Sequence, residues 1–171
     1  MTKPSAHEPQ IHNRPLKAGD LPAVAALHAR VFGPGRFTRT AYRVREGTPA
    51  ISRFCRGAFQ GDQLVASLRL TEVTIGGAGR HLLLGPLAVD PQFAGLGYGK
   101  ALVSEALEAA TTAGFDSVVL VGDLPYYDRF GFTRVPPGQI AFPGPVDPAR
   151  ILARALKNGL PPASGAIARK I

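Results

Sequence analysis

Three glycines at alternate positions, Gly95, Gly97 and Gly99, stand directly before Lys100 and form the clearest candidate binding site in the chain. The apolar run before them, residues 82–89, predicts a buried strand, and an Asp-Pro dipeptide ends it. Apolar residues at helical spacing follow the lysine. The order is therefore strand, glycine-rich turn and helix, which leaves main-chain N–H groups at the helix N-terminus free to bind an anion.

The spacing of these glycines differs from the two common phosphate-binding motifs. The dinucleotide motif G-x-G-x-x-G requires glycine at position 100, which is Lys100. The P-loop motif G-x-x-x-x-G-K-[ST] requires Gly at 94 and Ser or Thr at 101, where Ala94 and Ala101 stand. The sequence therefore predicts a pyrophosphate-binding turn of a third kind, G-x-G-x-G. The alternative is a strand, a turn and a helix that bind no ligand.

Pro86 lies inside the predicted strand, where a proline removes one hydrogen bond of the sheet ladder. The proline is tolerated if the strand separates from its neighbour there, which frees main-chain N–H and C=O groups of Leu87 and Val89. Such an edge pairs with an extended ligand that carries amide groups, as in strand addition. Free strand amides followed by a pyrophosphate-binding turn suit coenzyme A, whose pantetheine arm carries amides and leads to a pyrophosphate.

The other predicted elements place this strand and turn inside a mixed sheet. We predict helices over residues 21–31, 38–45 and 147–156, a helix from the glycine turn to Gly114, and a short helix that ends at Gly131; strands are predicted over residues 11–16, 51–59, 63–75, 82–89 and 117–121, with a final strand from Phe132. The helix between residues 82–89 and 117–121 makes those two strands parallel, through a right-handed crossover. The expected fold class is α+β (mixed α/β), with a mostly antiparallel sheet flanked by helices.

Length and composition indicate a single globular domain, since the chain has 171 residues of which 45% are apolar and 19% charged. We predict a flexible arm over residues 1–10 and one domain over 11–171, of which 136–171 form a C-terminal extension. The single cysteine, Cys55, and the lack of a secretory or membrane-spanning segment predict a cytoplasmic protein without membrane contact. No Cys/His spacing predicts a metal site.

The net charge of +8 is concentrated early in the chain. Between positions 30 and 56, one acid, Glu46, stands against seven arginines: Arg30, Arg36, Arg39, Arg43, Arg45, Arg53 and Arg56. Such a cluster serves an anionic substrate, a phosphorylated cofactor or a nucleic acid, or it is a solvated surface. Nucleic acid is the minor alternative, because aromatic residues are not interleaved with the basic ones.

Two segments carry a resemblance to a known family. The first is residues 87–100, from Leu-Ala-Val-Asp-Pro to Gly-Lys, and the second is residues 127–132, Tyr-Asp-Arg-Phe-Gly-Phe. In both, and in element order over roughly residues 11–135, the chain resembles the GCN5-related N-acetyltransferase (GNAT) superfamily, within its branch of small bacterial proteins. Ala94 departs from the family pattern, which has Gln or Arg at that position.

The resemblance implies splayed parallel central strands and an enzyme that moves an acetyl group from acetyl-CoA to an amine by direct attack in a ternary complex. It implies that the pyrophosphate is held by Gly95, Leu96, Gly97, Tyr98, Gly99 and Lys100, and the pantetheine arm by Leu87, Ala88 and Val89. We expect a main-chain N–H near Val89 to polarise the thioester carbonyl, and the resemblance implies that Tyr127, four residues before Gly131, is the acid that protonates the departing thiolate. Its neighbour Tyr126 is expected to pack.

The general base, the acceptor and even catalysis itself stay open in the sequence. Leu83 stands where some family members carry Glu, and Glu72, His81 and Asp123 are alternatives acting through water. A non-catalytic CoA-binding sensor or partner domain is the competing function. The acceptor is a small-molecule or peptide amine, and the early arginines favour an anionic amine over a polyamine. The extension is expected to cover the acceptor cleft or to form a homodimer contact.

Overall fold

The computed structural model describes residues 10–35, 40–158 and 162–171, so the predicted arm lies outside the described residues except for Gln10. The helices are α1 (Leu21–Phe32), α2 (Thr40–Arg45), α3 (Tyr98–Thr112) and α4 (Leu124–Tyr127). The strands are β1 (Ile11–Pro15), β2 (Arg56–Gln60), β3 (Gln63–Ile75), β4 (Ala78–Val89), β5 (Ser117–Val121), β6 (Thr133–Arg134), β7 (Ile140–Ala141), β8 (Ile151–Ala155) and β9 (Gly165–Arg169). In these ranges no helix is both long and apolar enough to cross a bilayer.

The described strands form one sheet in the order β1-β2-β3-β4-β5-β8-β6, with β9 on β3 and β7 on β9. Pairing is antiparallel except between β4 and β5 and between β7 and β9. Leu82 packs with Leu102 of α3, whereas Leu83 packs with Val44 of α2. Successive strand residues face opposite sides of a sheet, so α3 and α2 cover opposite faces. The predicted fold class, a mostly antiparallel mixed sheet flanked by helices, is confirmed.

The two central parallel strands separate where the sequence placed the proline. β4 and β5 pair at His81–Ser117, Leu82–Val118 and Leu83–Val119, and no described pair follows. On its other side β4 keeps its partner β3, with an irregularity between the pairs Leu84–Leu70 and Leu87–Leu68 that sets Gly85 and Pro86 against one residue of β3. From Gly85 onward, one edge of β4 therefore has no strand partner in the described ranges.

Most predicted boundaries near this wedge agree with the structure. β3 and β5 have the predicted bounds, and Gly114, in the left-handed conformation, follows α3 as the expected cap. The strand predicted over 51–59 starts later, at Arg56, because the Cys55 N–H donates to the Ser52 carbonyl in a turn. α2 begins at Thr40, and residues 38 and 39 of the predicted helix lie outside the described residues.

The C-terminal prediction was wrong in two respects. The helix expected over 147–156 is a short 3-10 turn, capped by the Asp147 carboxylate on the Ala149 N–H at 2.9 Å, followed by strand β8. β8 pairs with the whole of β5, from Val121–Ile151 to Ser117–Ala155. The strand expected to be final, β6, is a two-residue edge strand on β8. The extension thus supplies β7, β8 and β9 to the sheet.

Candidate active site

A cleft of about 730 Å³ opens where β4 leaves β5. Its walls are residues 84–87 of β4, residues 121–123 with Tyr126 and Tyr127, one side of α1 and α2, and the C-terminal residues 145–147 with Arg150. This volume lies within the range of ligand pockets, roughly 300–1,000 Å³. Leu87, one of the three residues that the sequence assigned to the pantetheine arm, and Tyr127, assigned to acid catalysis, therefore line the same cleft. Residues 145–147 and Arg150 of the C-terminal extension contribute to its lining.

The glycine turn lies next to this cleft and is built to present main-chain N–H groups. Gly95 and Gly97 have φ of 75° and 87°, the left-handed region that favours glycine, and Gly97 caps α3. The N–H groups of Gly95, Leu96 and Gly97 donate to no other described residue. The first N–H groups of α3, from Tyr98 to Lys100, have no acceptor within the helix. The turn is exposed apart from Tyr98 and Gly99, so these donors are open to an anion.

Asp90 holds the turn at the end of β4. Its carboxylate accepts a hydrogen bond from the Gln92 N–H at 3.0 Å and forms an ion pair with Arg30 at 3.3 Å. Its own N–H donates to the Val65 carbonyl at 2.8 Å. These contacts fix the direction in which the chain leaves β4 toward the glycines. They also give one of the early arginines a structural role.

Gly99 allows α3 to start close to β4 and α4. A Cβ added there would lie 3.0 Å from the Tyr126 hydroxyl oxygen and 3.2 Å from Cγ2 of Val89. Such spacing leaves no room for a side chain without movement of its neighbours. Gly99 therefore brings the glycine turn, the end of β4 and Tyr126 into one site.

Leu87, Ala88 and Val89 pair with β3 on one side and have an open edge on the other. Ala88 is fully buried in the cluster that contains Leu27 of α1, whereas Leu87 and Val89 are half-buried beside α3. Leu87 also lines the cleft. This arrangement fits an extended ligand that lies along β4 and pairs with its main chain.

Tyr127 is enclosed by aromatic rings and lies against Gly122. Its ring contacts Tyr126 edge to face at a centroid distance of 4.8 Å and Phe132 at 5.9 Å. Burial raises the pKa of Tyr127 to about 12, with smaller contributions in the same direction from Tyr126 and Asp123 and an opposing one from Arg150. The phenol therefore keeps its proton at neutral pH and lines the cleft as a hydrogen-bond donor.

Tyr126 packs, as expected, and also reaches the glycine turn. Its ring lies against Tyr127 and Phe130, and the Arg129 guanidinium lies 5.3 Å from its centroid. Burial raises the pKa of Tyr126 as well. The sequence distinguished the two tyrosines only by their distance from Gly131, and both line the cleft.

The three candidate bases have different surroundings. Glu72 forms an ion pair with Lys170 at 3.6 Å, and buried His81, 2.7 Å from the Ser117 hydroxyl, has its pKa lowered by burial. Asp123 lines the cleft, and its carboxylate lies 3.4 Å from the guanidinium of Arg150. Of these three residues, Asp123 alone lines the cleft.

Arg45 lines the cleft, and the sequence did not single it out as a site residue. It appeared there only as one of seven early arginines. Arg45 is 6% exposed, lines the cleft, and has no hydrogen-bond partner for its Nε among the described residues. Burial lowers its pKa to about 9. Nothing in the local sequence separates it from Arg43, which is exposed on the same helix.

Solved structures similar to this chain include two GNAT acetyltransferases. The crystal structure of YhbS from Escherichia coli, solved with CoA, has a TM-score of 0.76 at 24% identity and covers 99% of this chain and 93% of that chain. A GNAT acetyltransferase from Brucella melitensis, solved with acetyl-CoA, has a TM-score of 0.71 at 25% identity and covers 95% of this chain and 97% of that chain.

Sequence comparison gives relatives of the same kind. The uncharacterized N-acetyltransferase YhbS of E. coli (strain K12) is 29% identical over 114 residues, which are 66% of this chain and 68% of that protein. The family model of the acetyltransferase (GNAT) family matches residues 21–132, from the start of α1 to the residue after the left-handed Gly131. The chain therefore belongs to the GNAT family of acetyltransferases, as its glycine turn and its Tyr-x-x-x-Gly-Phe segment predicted.

Proposed function

We propose that this protein transfers an acetyl group from acetyl-CoA to an amine of a small molecule or peptide, by direct attack in a ternary complex. The observation that carries the proposal is the open edge of β4 after Leu83, which has the glycine turn at its end and Tyr127 in the facing wall. The E. coli and Brucella relatives, solved with CoA and acetyl-CoA, support the choice of co-substrate.

The cofactor is held mainly by the main chain in this proposal. N–H groups from Gly95 to Lys100 bind the pyrophosphate, with Lys100 exposed beside them, and the open edge of residues 87–89 pairs with the pantetheine amides. Ala94, which replaces the family's Gln or Arg, removes a side chain but no main-chain donor. The site therefore fits coenzyme A despite that departure.

The reaction forms a C–N bond between the amine nitrogen and the thioester carbonyl carbon and breaks the C–S bond. Sulfur leaves with the electron pair and takes a proton that Tyr127 passes from its hydroxyl group. The amine nitrogen releases a proton after it attacks, and that proton returns to Tyr127 through solvent. The products are therefore an amide and a free thiol. Because burial raises the pKa of Tyr127 to about 12, well above the roughly 8.5 of a thiol, Tyr127 acts first as a hydrogen-bond donor to the departing sulfur.

Asp123 is the residue we propose for receiving the amine proton through a water molecule. It lies at the cleft wall together with Tyr127, and its carboxylate is 3.4 Å from the guanidinium of Arg150. An alkylammonium has a pKa of about 10.4, so loss of that proton must precede attack. Holding the amine against the thioester supplies much of the remaining acceleration.

The experiment that tests this function combines calorimetry with an acceptor screen. Titration of the protein with acetyl-CoA should give one binding site, and a screen of amines should show free thiol released from acetyl-CoA in step with acetylated product. Absence of acetyl-CoA binding would contradict the proposal. Binding without acetylation of any amine would favour the competing function, a CoA-binding sensor or partner domain, for which buried Leu83 in place of a carboxylate is the supporting observation.

Two expectations from the sequence stay predictions, namely the homodimer and the cytoplasmic setting. Light scattering of the purified protein tests the first, and fractionation of the source cells tests the second.

A further inference from the structure

Arg45 is a buried cation on the wall of the cleft. It lies in the last turn of α2, is 6% exposed, and its Nε has no hydrogen-bond partner among the described residues. Among the described residues, the other arginine that lines the cleft is Arg150, which has a half-exposed side chain and pairs with Asp123. A buried charge without a partner is unfavourable, so a fold that keeps one in a cleft is suited to bind an opposite charge there.

No carboxylate is among the described groups that act electrostatically on Arg45. The ionisable groups that act on it are Arg69, Tyr42 and Cys55, and Arg69 is itself largely buried. Arg69 donates to the Thr48 hydroxyl at 3.0 Å and the Pro49 carbonyl at 3.1 Å, and its Nε also has no partner. Neither arginine forms an ion pair with a carboxylate of the described residues.

The guanidinium of Arg45 lies at the point where β4 leaves β5. Its Nη2 is 3.4 Å from the position that a Cβ on Gly85 would occupy. Gly85, Leu87 and Tyr127 line the same cleft, so Arg45 is on the same cavity as the proposed acid and the strand edge proposed for the cofactor. The glycine turn already offers its own donors to the pyrophosphate, which leaves Arg45 available for the acceptor.

We infer that Arg45 binds an oxyanion of the acceptor, so that the acetylated amine belongs to a molecule that carries a carboxylate or phosphate close to that amine. The inference rests on the proposed function and names its substrate class. A guanidinium binds either oxyanion through two parallel N–H donors. Polyamines, which carry only positive charge, are excluded by repulsion from Arg45 and Arg69.

The test compares acceptors that differ in the anion. Thiol release from acetyl-CoA is assayed with the common L-amino acids, with the matching series of amino-acid carboxamides, and with O-phosphoethanolamine and ethanolamine. Rates are expressed per free amine. The expected result is that the best anionic acceptor exceeds its uncharged partner by about 10- to 100-fold in kcat/KM. The amino acid and phosphoethanolamine arms distinguish a carboxylate from a phosphate.

Variants of α2 separate binding of the anion from a structural effect. Arg45→Gln should raise KM for the anionic acceptor by about 10- to 100-fold, reduce the preference over the uncharged partner, and leave the affinity for acetyl-CoA unchanged. Arg45→Lys should keep part of the preference, since it keeps the charge but not the planar pair of donors. Arg43→Gln, an exposed arginine of the same helix, is the control and should keep wild-type specificity.

Three outcomes would overturn the inference while the proposed function stands. They are equal use of charged and uncharged acceptors by the wild type, acetylation in the panel of uncharged amines alone, and unchanged preference in a folded Arg45→Gln variant. Loss of acetyl-CoA affinity in that folded variant would assign Arg45 to the cofactor and would also overturn it. If Arg45→Gln does not fold, the inference is tested by the acceptor preference of the wild type and by the reduced preference expected of Arg45→Lys. Failure to bind acetyl-CoA, in contrast, would overturn the proposed function itself.

Discussion

The ring of Tyr127 lies directly against the backbone of Gly122. A Cβ added at Gly122 would come within 2.8 Å of Cε2 of Tyr127 and 3.0 Å of Cδ1 of Leu120. Gly122 is the first residue after β5, and its N–H donates to the Arg150 carbonyl at 2.9 Å. The glycine is needed here for close approach and not for a left-handed conformation, and the end of β5 thereby sets the position of the tyrosine.

Gly122→Ala should displace Tyr127 and lower kcat by about 10-fold or more, because small misplacements of a reacting group are costly. Affinity for acetyl-CoA, measured by calorimetry, should stay close to wild type because the glycine turn is untouched. Gly19→Ala is the matched control, since a Cβ at Gly19 would meet nothing within 4 Å. Wild-type kcat in Gly122→Ala would contradict the placement of Tyr127.

Gly97→Ala should weaken acetyl-CoA binding by about 10-fold, because a left-handed φ is unfavourable for alanine and the turn would shift its N–H groups. Gly61→Ala provides a control with a similar backbone, as Gly61 has a φ of 57° in the hairpin turn between β2 and β3. In both positions a Cβ would meet nothing within 4 Å. Calorimetry should give weaker binding for the first variant alone; equal affinity in both would remove the turn from the cofactor site.

The pH dependence of kcat/KM should have no descending limb from Tyr127 in the usual assay range. With its pKa raised to about 12, the phenol stays protonated at lower pH and loses its proton only as the pH rises toward that value. With an acceptor that carries no anionic group, and so does not depend on the charge of Arg45, the rate should therefore increase from about pH 6 to about pH 10 as the amine, with a pKa near 10.4, becomes neutral. A descending limb centred below pH 10 in the wild type and missing in Tyr127→Phe would contradict the raised pKa.

Asp20→Asn should lower the free energy of unfolding by about 1 kcal/mol at pH 7, after allowance for partial solvent screening. The Asp20 carboxylate accepts from Arg14 at 2.7 and 2.9 Å and from the Lys17 N–H at 2.7 Å, and these bonds lower its pKa to about 2. The stabilisation is therefore present above pH 4 and is lost as the pH falls toward 2.

Urea denaturation at pH 7 and near pH 2.5 measures that difference, which should shrink at the lower pH. Asp62→Asn, in the exposed hairpin turn, is the control and should have little effect at either pH. A constant difference between wild type and Asp20→Asn at both values would show that the ion pair is not its source.

The parts of the fold that the sequence predicted have strong local signals. β3 lies between two glycine-containing turns, and β5 is a short apolar run between Gly114 and Gly122, so the bounds of both strands follow from the residues that flank them. Pro86 predicted the separation of β4 from β5, because a proline has no N–H to donate and is tolerated in a buried strand where the neighbouring strand has moved away.

The wrong helix over 147–156 shows where local reasoning fails. Asp147 does cap a turn, on the Ala149 N–H, but the chain then extends at Ile151. Five residues are too few to separate helical from strand periodicity, and pairing with β5 together with burial of Leu152 decides for the strand. The deciding partner lies 30 residues earlier in the chain and leaves no local signal.

The candidate site likewise has features that the local sequence indicates and features that depend on tertiary contacts. The position of the glycine turn at the start of α3 follows from consecutive residues, whereas Tyr127 as the acid rests on the resemblance to the family and stays a prediction. Burial of Arg45 was not predictable, because composition gives the charge of an arginine and only the packing of α2 against the sheet gives its exposure. The close approach of Tyr126 to Gly99 likewise arises from tertiary contact alone.

The most direct test of acetyl transfer in this cleft is a comparison of wild type with Tyr127→Phe, measured as kcat and as acetyl-CoA affinity on the same preparations. Loss of the proton donor should lower kcat by about 100-fold and leave the dissociation constant of acetyl-CoA within about twofold, because the ring and its packing remain. Tyr126→Phe should retain most of the activity. Undiminished kcat in Tyr127→Phe, or a loss carried by Tyr126→Phe instead, would contradict the account.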